Sequence, residues 1–524
     1  DKARRTRMSK TKRRVIAGSV AIVAVAGTVA GGWQLVDSGW TGRAWPEARD
    51  SLLRGSAAGG LSVAAGAVQM GASVALFGRG HMGGDCLNYG CVPSKALLAA
   101  SHAAQAARRA KRFGVSVGKV SANAKKVFAH VQGVIDAIAP HDSQERFEAL
   151  GVTVLRAAAK FTAPDRLDAG DTQVTAKYFV VATGSSPFVP AIDGLAALNP
   201  LTNETVFALN AIPKHLIIIG GGPIGCEMAQ AFRGLGADVT VLELGTILPA
   251  DDPDAVEVVR TRLLEDGVVL HEDCRVLRAG GTEDTPEVTV AAADGTEHTI
   301  AGSHVLVAAG RSANVLGLGL ERAGVDFNPQ GVEVDKRLRS VSNRRIFAIG
   351  DVAAIDGKAG PRLTHVAGMH AGVVIKNALF KLPAKVSHSA VPHVTYTDPE
   401  LAQVGLTELR ARDAFTDAVE VVMWDLADND RARAEANGEG MVKVVVGRWG
   451  KILGCTIVGP HAGDLIAPWV LAMEKGLKIG AMAATVASYP TLGEASKRAA
   501  GQYFTRSLYS DRTRAVVRFL MKFL

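Results

Sequence analysis

The chain has 524 residues, 48% hydrophobic and 21% charged, a balance that excludes a disordered or fibrous protein and allows three or more domains. Its formal charge of +8 sits at one end: residues 1–14 carry eight Lys and Arg against Asp1, and the near-neutral remainder excludes a nucleic-acid-binding body. Five cysteines scattered over this length exclude a disulfide-stapled secreted fold.

Residues 1–45 read as a separate front segment. Behind the basic run, residues 15–36 are free of charge. As a helix they would extend about 33 Å, enough for a bilayer core. They are read either as a transmembrane signal anchor or export signal with its basic flank in the cytoplasm, or as a stretch too rich in Ala and Gly to insert. An anchor of that orientation would place the body outside, and the side of the membrane stays open. A polar linker, 38–50, follows.

The first βα unit is expected from residue 51, with Ser51-Leu52-Leu53-Arg54 as strand and Gly55, Gly59 and Gly60 in the turn and early helix. Ala57 stands where a second loop glycine would allow phosphate approach, and Gly78 follows the strand Val74-Ala75-Leu76-Phe77 where a ribose-binding acid would stand. The string GGDCLNYGCVPSKALL then places Cys86 and Cys91 in a glycine-flanked turn, with Gly84 before them and Lys95 after, running into an alanine-rich helix to about 112. In a straight helix the two cysteines would be about 7.5 Å apart in rise, beyond the roughly 7 Å Cα limit of a disulfide. A bridge therefore requires a broken turn, which Gly90 permits. A helix N-terminus also favours thiolate, so the pair reads as a reversible redox couple.

Helix is expected over 124–150 and short strands over 151–195, including Val180-Val181-Ala182-Thr183-Gly184. The second βαβ unit is cleaner. The strand 215–219 runs into Gly220-Gly221-Gly222-Pro223-Ile224-Gly225 and a helix carrying Cys226 and Glu227. Gly220 makes the tight turn, Gly222 lets backbone approach a pyrophosphate, and Gly225 lets helix and strand pack closely. Glu243, ending the next strand, is placed to accept from a ribose 2′-OH and to repel a 2′-phosphate, predicting NADH over NADPH. Further on come Ala309-Gly310-Arg311, then Arg345–Asp351, and Thr364-His365-Val366-Ala367 opening a helix. His365 and His370 are read as structural, since no ligand cluster accompanies them. From about 385 the pattern turns β-rich, and helices close the chain.

These motifs, in this order over about residues 50–510, resemble the class I pyridine nucleotide–disulfide oxidoreductases, in their dihydrolipoamide dehydrogenase and mercuric reductase-like branch. The resemblance implies an α/β protein with two Rossmann-like nucleotide-binding domains, for FAD and NAD, plus an α+β C-terminal dimerisation domain. The expected partition is 46–195 and 315–384 for FAD, 196–314 for NAD, 385–510 for dimerisation and 511–524 as a basic amphipathic tail. That tail is read as a solvated helix end with a core-facing stripe, with contact to a membrane surface as the alternative.

By the same resemblance, FAD would be held by Gly55, Gly59, Gly60, Gly84, Lys95, Thr183, Gly184, Asp351, Thr364 and Ala367, and NAD by Gly220, Gly222, Gly225, Glu243 and Gly310. Lys95 would lie near flavin N5, paired with Glu227. Hydride would pass from NADH through FAD to the cysteines, Cys91 as charge-transfer thiolate and Cys86 as interchange nucleophile, then to a disulfide, dithiol or thiol-bound metal acceptor. The family's His-Pro-Thr-x-x-Glu motif appears as Tyr489-Pro490-Thr491-Leu492-Gly493-Glu494, contributed to a homodimer partner's site. No resident metal site is expected. Two other readings stay open: a non-enzymatic relative that lost FAD through Arg54, Ala57 and Gly78, and a membrane-tethered thiol–disulfide or metal-binding module.

Overall fold

The computed structural model describes residues 14–16, 21–25, 58–415 and 418–523. The chain divides into two compact units. One contains Asp1–Pro93, Gln132–Pro187 and Arg311–His388; the other contains Ser94–Val131, Phe188–Gly310 and Ser389–Leu524.

The first unit is built on a five-stranded parallel sheet in the order Ile346–Ala348, Tyr178–Val181, Ala21–Val25, Ser73–Phe77, Thr153–Leu155. Strands such as Tyr178–Val181 read as unbroken apolar runs because an inner parallel strand is covered on both faces. Helix Ala58–Gln69 packs tightly beside helix Thr364–Ala378 because its near side is glycine. A Cβ on Gly66 would lie 2.4 Å from Ile375 Cδ1, and one on Gly59 would lie 2.9 Å from Ile349 Cδ1 and 3.2 Å from Ala367 Cβ.

The expected membrane span is corrected here. Ala21–Val25 lies inside residues 15–36 and is a strand, paired in parallel with Ser73–Phe77 on one side and Tyr178–Val181 on the other. A backbone bonded into a sheet on both sides is not a membrane helix. Hydropathy alone cannot separate an inner parallel strand from part of a span, since both are continuous apolar runs. Among the described residues no helix is long and apolar enough to cross a membrane. The strand and loop expected at 51–57, with Arg54, Gly55 and Ala57, lie outside the described residues.

The second unit holds a four-stranded parallel sheet, ordered Val269–His271, Asp238–Leu242, His215–Ile219, His304–Val307. It also holds a five-stranded antiparallel sheet, ordered Pro392–Thr395, Glu400–Gly405, Lys451–Gly459, Met441–Gly447, Glu420–Asp425. Lys443, buried in the latter, bonds Asp252 at 3.0 Å, Asp254 at 2.7 Å and Glu408 at 2.9 Å. A buried ammonium is tolerated only when paired in this way. Helices Glu494–Leu508 and Asp511–Leu520 end the chain. The second does not turn a stripe to the core as expected, because none of its residues is buried.

Candidate active site

In the first unit the cysteine turn is a helix broken at one point. Gly83 and Gly84 both have positive φ, 85° and 66°, and start the short helix Gly84–Asn88. A Cβ on Gly83 would meet Leu87 Cδ2 at 2.3 Å, so glycine is required there. Tyr89 and Gly90 interrupt the helix, and a second one, Cys91–Arg109, begins. That break does what the straight-helix geometry could not: it brings the thiol of Cys86 into hydrogen-bond contact with Cys91. This bond, with burial second, pushes the Cys86 thiol well above the usual thiol range. Cys91 Sγ lies 3.5 Å from Thr364 Oγ1.

Thr364 opens helix Thr364–Ala378, whose N-cap position, Leu363, supplies no side-chain cap. The first-turn N–H groups and the positive end of the helix dipole thus stand beside the cysteine pair, a donor set suited to an electron-rich ring edge. The turns at the sheet's C-terminal edge are tied together around Asp351. Its carboxylate accepts from Ser185 Oγ at 2.6 Å. Arg311 donates to Ser185 Oγ and to the Ser185 carbonyl, both at 2.7 Å, and lies 3.3 Å from Asp85. Thr183 Oγ1 donates to the Asn314 carbonyl at 2.7 Å, and Asn314 Nδ2 returns a bond to the Thr183 carbonyl at 3.0 Å. The run 311–314, directly after Gly310, which the resemblance assigns to NAD, therefore braces the Thr183-Gly184 turn of this unit.

The residues present fit the isoalloxazine and ribityl half of FAD: a helix N-terminus, a fixed carboxylate and a sulfur pair lie together. The adenosine half is different. Gly78, buried at the end of Ser73–Phe77, donates its N–H to the Leu155 carbonyl at 3.1 Å and brings no carboxylate. Gly59 and Gly60 are buried, with Gly59 serving helix packing.

His370 does more than the structural role assigned from sequence. Its Nδ1 accepts from the N–H of Gly350, next to Asp351, at 3.1 Å, and its Nε2 lies 3.0 Å from His388 Nε2. Nothing in the sequence flagged His388. Burial, then His388, lowers the His370 pKa from 6.5 to about 4. The unfolded chain takes up a proton below about pH 6.5 that the folded chain refuses until about pH 4, so stability falls with pH across that window, by about 3 kcal/mol in all. Melting temperatures from pH 7 to pH 4.5 are expected to drop more steeply for the natural protein than for His370→Gln.

In the second unit, strand His215–Ile219 feeds the glycine loop and helix Pro223–Leu235. A Cβ on Gly225 would lie 2.0 Å from the Gly220 carbonyl oxygen, so only glycine lets the helix close on the loop. Nothing lies within 4 Å of a Cβ built on Gly222, which leaves that face open to a phosphate. Glu243 accepts from Gly221 N–H at 2.5 Å and Gly245 N–H at 3.1 Å, fixing its carboxylate at the mouth of the loop. Gly310, φ 112°, ends the Phe188–Gly310 stretch of this unit and accepts from Phe188 N–H.

The expected Lys95–Glu227 pair is present. Lys95 Nζ lies 2.9 and 3.1 Å from the two Glu227 oxygens. Glu227 is buried and also accepts from Tyr396 N–H at 3.0 Å, while Lys95 Nζ sits 4.3 Å from the centre of the Tyr396 ring. Tyr396 was missed as a site residue. Its only signal was an aromatic residue between the two threonines of Val394-Thr395-Tyr396-Thr397. Gln230, one turn beyond Glu227, holds this segment by accepting from Asp398 N–H at 2.7 Å and donating to its carbonyl at 2.9 Å.

The C-terminal motif is exposed at Tyr489 and Pro490 and half-buried from Thr491 to Glu494. Tyr489 donates its hydroxyl to Asp430 at 3.0 Å, and that bond raises its pKa above the usual phenol value. Glu494 opens helix Glu494–Leu508 and pairs with Arg498 at 2.7 Å. Among the described residues no group of three or more His, Cys, Asp or Glu could hold a metal ion.

Family models place this architecture. Residues 54–371 match the pyridine nucleotide-disulphide oxidoreductase model, and residues 391–500 match the dimerisation domain of the same family. The mercuric reductase of Streptomyces lividans is 34% identical over 464 residues, covering 87% of this chain and 96% of that protein. The dihydrolipoyl dehydrogenase of Geobacillus stearothermophilus is 35% identical over 460 residues, covering 86% and 95%. Among solved structures, LpdA from Mycobacterium tuberculosis superposes with a TM-score of 0.78 at 26% identity, over 92% of this chain and 99% of that one. The flavoprotein disulfide reductase RclA from Escherichia coli shares the fold, with a TM-score of 0.77 at 23% identity over 93% and 100%. The chain is thus an oxidoreductase of the FAD- and NAD(P)H-dependent class and belongs to the pyridine nucleotide-disulphide oxidoreductase family.

Proposed function

We propose that the protein uses NADH to reduce a disulfide or thiol-bound metal acceptor through the Cys86–Cys91 pair. The observation that carries this reading is the contact of the two thiols beside Thr364, at the uncapped end of helix Thr364–Ala378. When bound, FAD and NADH supply the two-electron relay and the hydride that return the pair to its dithiol form.

The chain's own residues do the rest. Asp351, held by Ser185, would accept from the ribityl hydroxyls of FAD, and the first-turn N–H groups at Thr364 would donate to its ring. Gly220, Gly222 and Gly225 shape the pyrophosphate cradle. As Cys86 sulfur attacks one sulfur of the acceptor disulfide, that S–S bond breaks and the displaced thiolate takes the Cys86 proton. Cys91 thiolate then attacks Cys86 sulfur, re-forming the internal disulfide and releasing the second acceptor thiolate. Two electrons leave the pair and two enter the acceptor. Because its hydroxyl is tied to Asp430, Tyr489 keeps its proton at neutral pH and serves as a hydrogen-bond donor rather than a base. That favours an acceptor which binds thiolates directly, as a soft metal–thiolate complex does, over lipoamide.

The test is anaerobic turnover of FAD-loaded protein with NADH and either a mercuric–thiol complex or lipoamide. Faster turnover of the metal complex supports the reading; rapid lipoamide reduction with no metal turnover contradicts it. Coenzyme choice follows from Glu243. Placing a 2′-phosphate against a fixed carboxylate costs on the order of several kcal/mol, so NADH is expected to exceed NADPH in kcat/KM by at least roughly 100-fold. Glu243→Ser is expected to narrow that ratio, measured with both coenzymes on one preparation.

A further inference from the structure

We propose that the C-terminal helix Asp511–Leu520 is a peripheral membrane-docking element for an anionic lipid surface. Three observations bear on it. The helix is preformed: Ser510 caps it, accepting from Thr513 N–H at 3.2 Å, and Thr513 Oγ1 donates to the Ser507 carbonyl at 2.7 Å. It is unpacked: no residue in it is buried, and Val516, Val517, Phe519, Leu520 and Phe523 are all about half exposed or more. It is two-faced over its last two turns. At 100° per residue Val516, Phe519, Leu520 and Phe523 fall on one side, which carries Arg512 at the helix start, while Arg514, Arg518 and Lys522, spaced by four, fall on the opposite side, Arg514 lying 3.8 Å from Asp511. Asp511, at the N-terminal end, is the sole acid of residues 511–523.

Charge decides the occupant. A helix with a cationic ridge and a Phe/Leu/Val face lies in the plane of a headgroup region, apolar side down, with long basic side chains reaching up to phosphates. The match to the dimerisation domain ends at residue 500, so this helix follows the part of the chain the family uses to pair subunits. Each basic residue near an anionic leaflet is worth about a fivefold gain in partitioning.

The test uses the full-length protein with FAD present, co-sedimented with vesicles of pure phosphatidylcholine or of equal phosphatidylcholine and phosphatidylglycerol. The natural protein is expected to bind only the anionic vesicles, and to release as salt is raised. Arg514→Glu with Arg518→Glu and Lys522→Glu is expected to lower binding by at least about 100-fold, from three contacts of about fivefold each. Phe519→Ser with Phe523→Ser is also expected to lose binding, with NADH oxidation and sedimentation coefficient unchanged in both variants. Equal binding by natural and charge-reversed protein, or no binding to anionic vesicles, overturns the proposal. So does dissociation of the dimer in the Phe519→Ser/Phe523→Ser variant, which would assign the apolar face to a second copy of the chain.

Discussion

Replacing Cys91 with serine is expected to lower NADH-driven acceptor reduction by at least about 1,000-fold, the scale on which nucleophile deletions act, while leaving FAD binding and folding intact. Cys91 sits at the start of its helix, 3.5 Å from Thr364 Oγ1, and its side chain is exposed, so the substitution removes chemistry without opening a cavity. Cys86→Ser is expected to abolish acceptor reduction equally but to differ in colour. With the proton retained on Cys86 by its bond to Cys91, the two-electron-reduced natural protein carries its charge on the sulfur beside the cofactor site. Long-wavelength absorbance should therefore persist in Cys86→Ser and vanish in Cys91→Ser. The reverse pattern would exchange the roles of the two sulfurs.

The second large effect concerns Lys95 and Glu227. Removing one member of a buried ion pair costs about 3–5 kcal/mol, because the other is left desolvated and alone. The Lys95 side chain is 36% exposed and Glu227 keeps the Tyr396 N–H, so Lys95→Met is expected near the lower end of that range. Glu227→Ala removes the acceptor for both Lys95 and Tyr396 N–H, and is expected to destabilise more. Lys95→Met combined with Glu227→Gln should recover part of the loss, since no unpaired charge remains. Urea midpoints for the natural protein, Lys95→Met, Glu227→Gln and their combination give the coupling directly. Additive losses would mean that the pair is not an energetic unit.

What could be read in the sequence was whatever one short segment encodes. The glycines 220, 222 and 225 each answer a local steric demand, and the structure shows two of those demands as carbonyl contacts that a Cβ would violate. The cysteine turn was legible for the same reason: the distance argument demanded a break, and Gly90 supplies it. Lys95 and Glu227 were paired through the family resemblance, and the contact is there.

What escaped was set by contacts between distant segments. Tyr396 reaches Glu227 from a strand end 169 residues away, and its partners cannot be read from either segment alone. His388 gains its place through His370, which gains its own from Gly350. Arg311 directly follows Gly310, a residue associated with one nucleotide, yet within the first unit it bonds Ser185 and lies beside Asp85. At residues 15–36 apolar length keeps a span open beside a non-inserting stretch, whereas five of those residues form an inner strand of the first unit's sheet.

The most direct test of the central claim, that this chain couples a flavin to the Cys86–Cys91 pair, is an anaerobic NADH titration of the FAD-loaded protein with thiols alkylated and mapped at each step. The account predicts that flavin reduction is accompanied by the appearance of two new thiols, located at Cys86 and Cys91, with long-wavelength absorbance rising in step. Flavin that is bleached by NADH while those two sulfurs stay unchanged, or a folded protein that takes up no FAD, would contradict it.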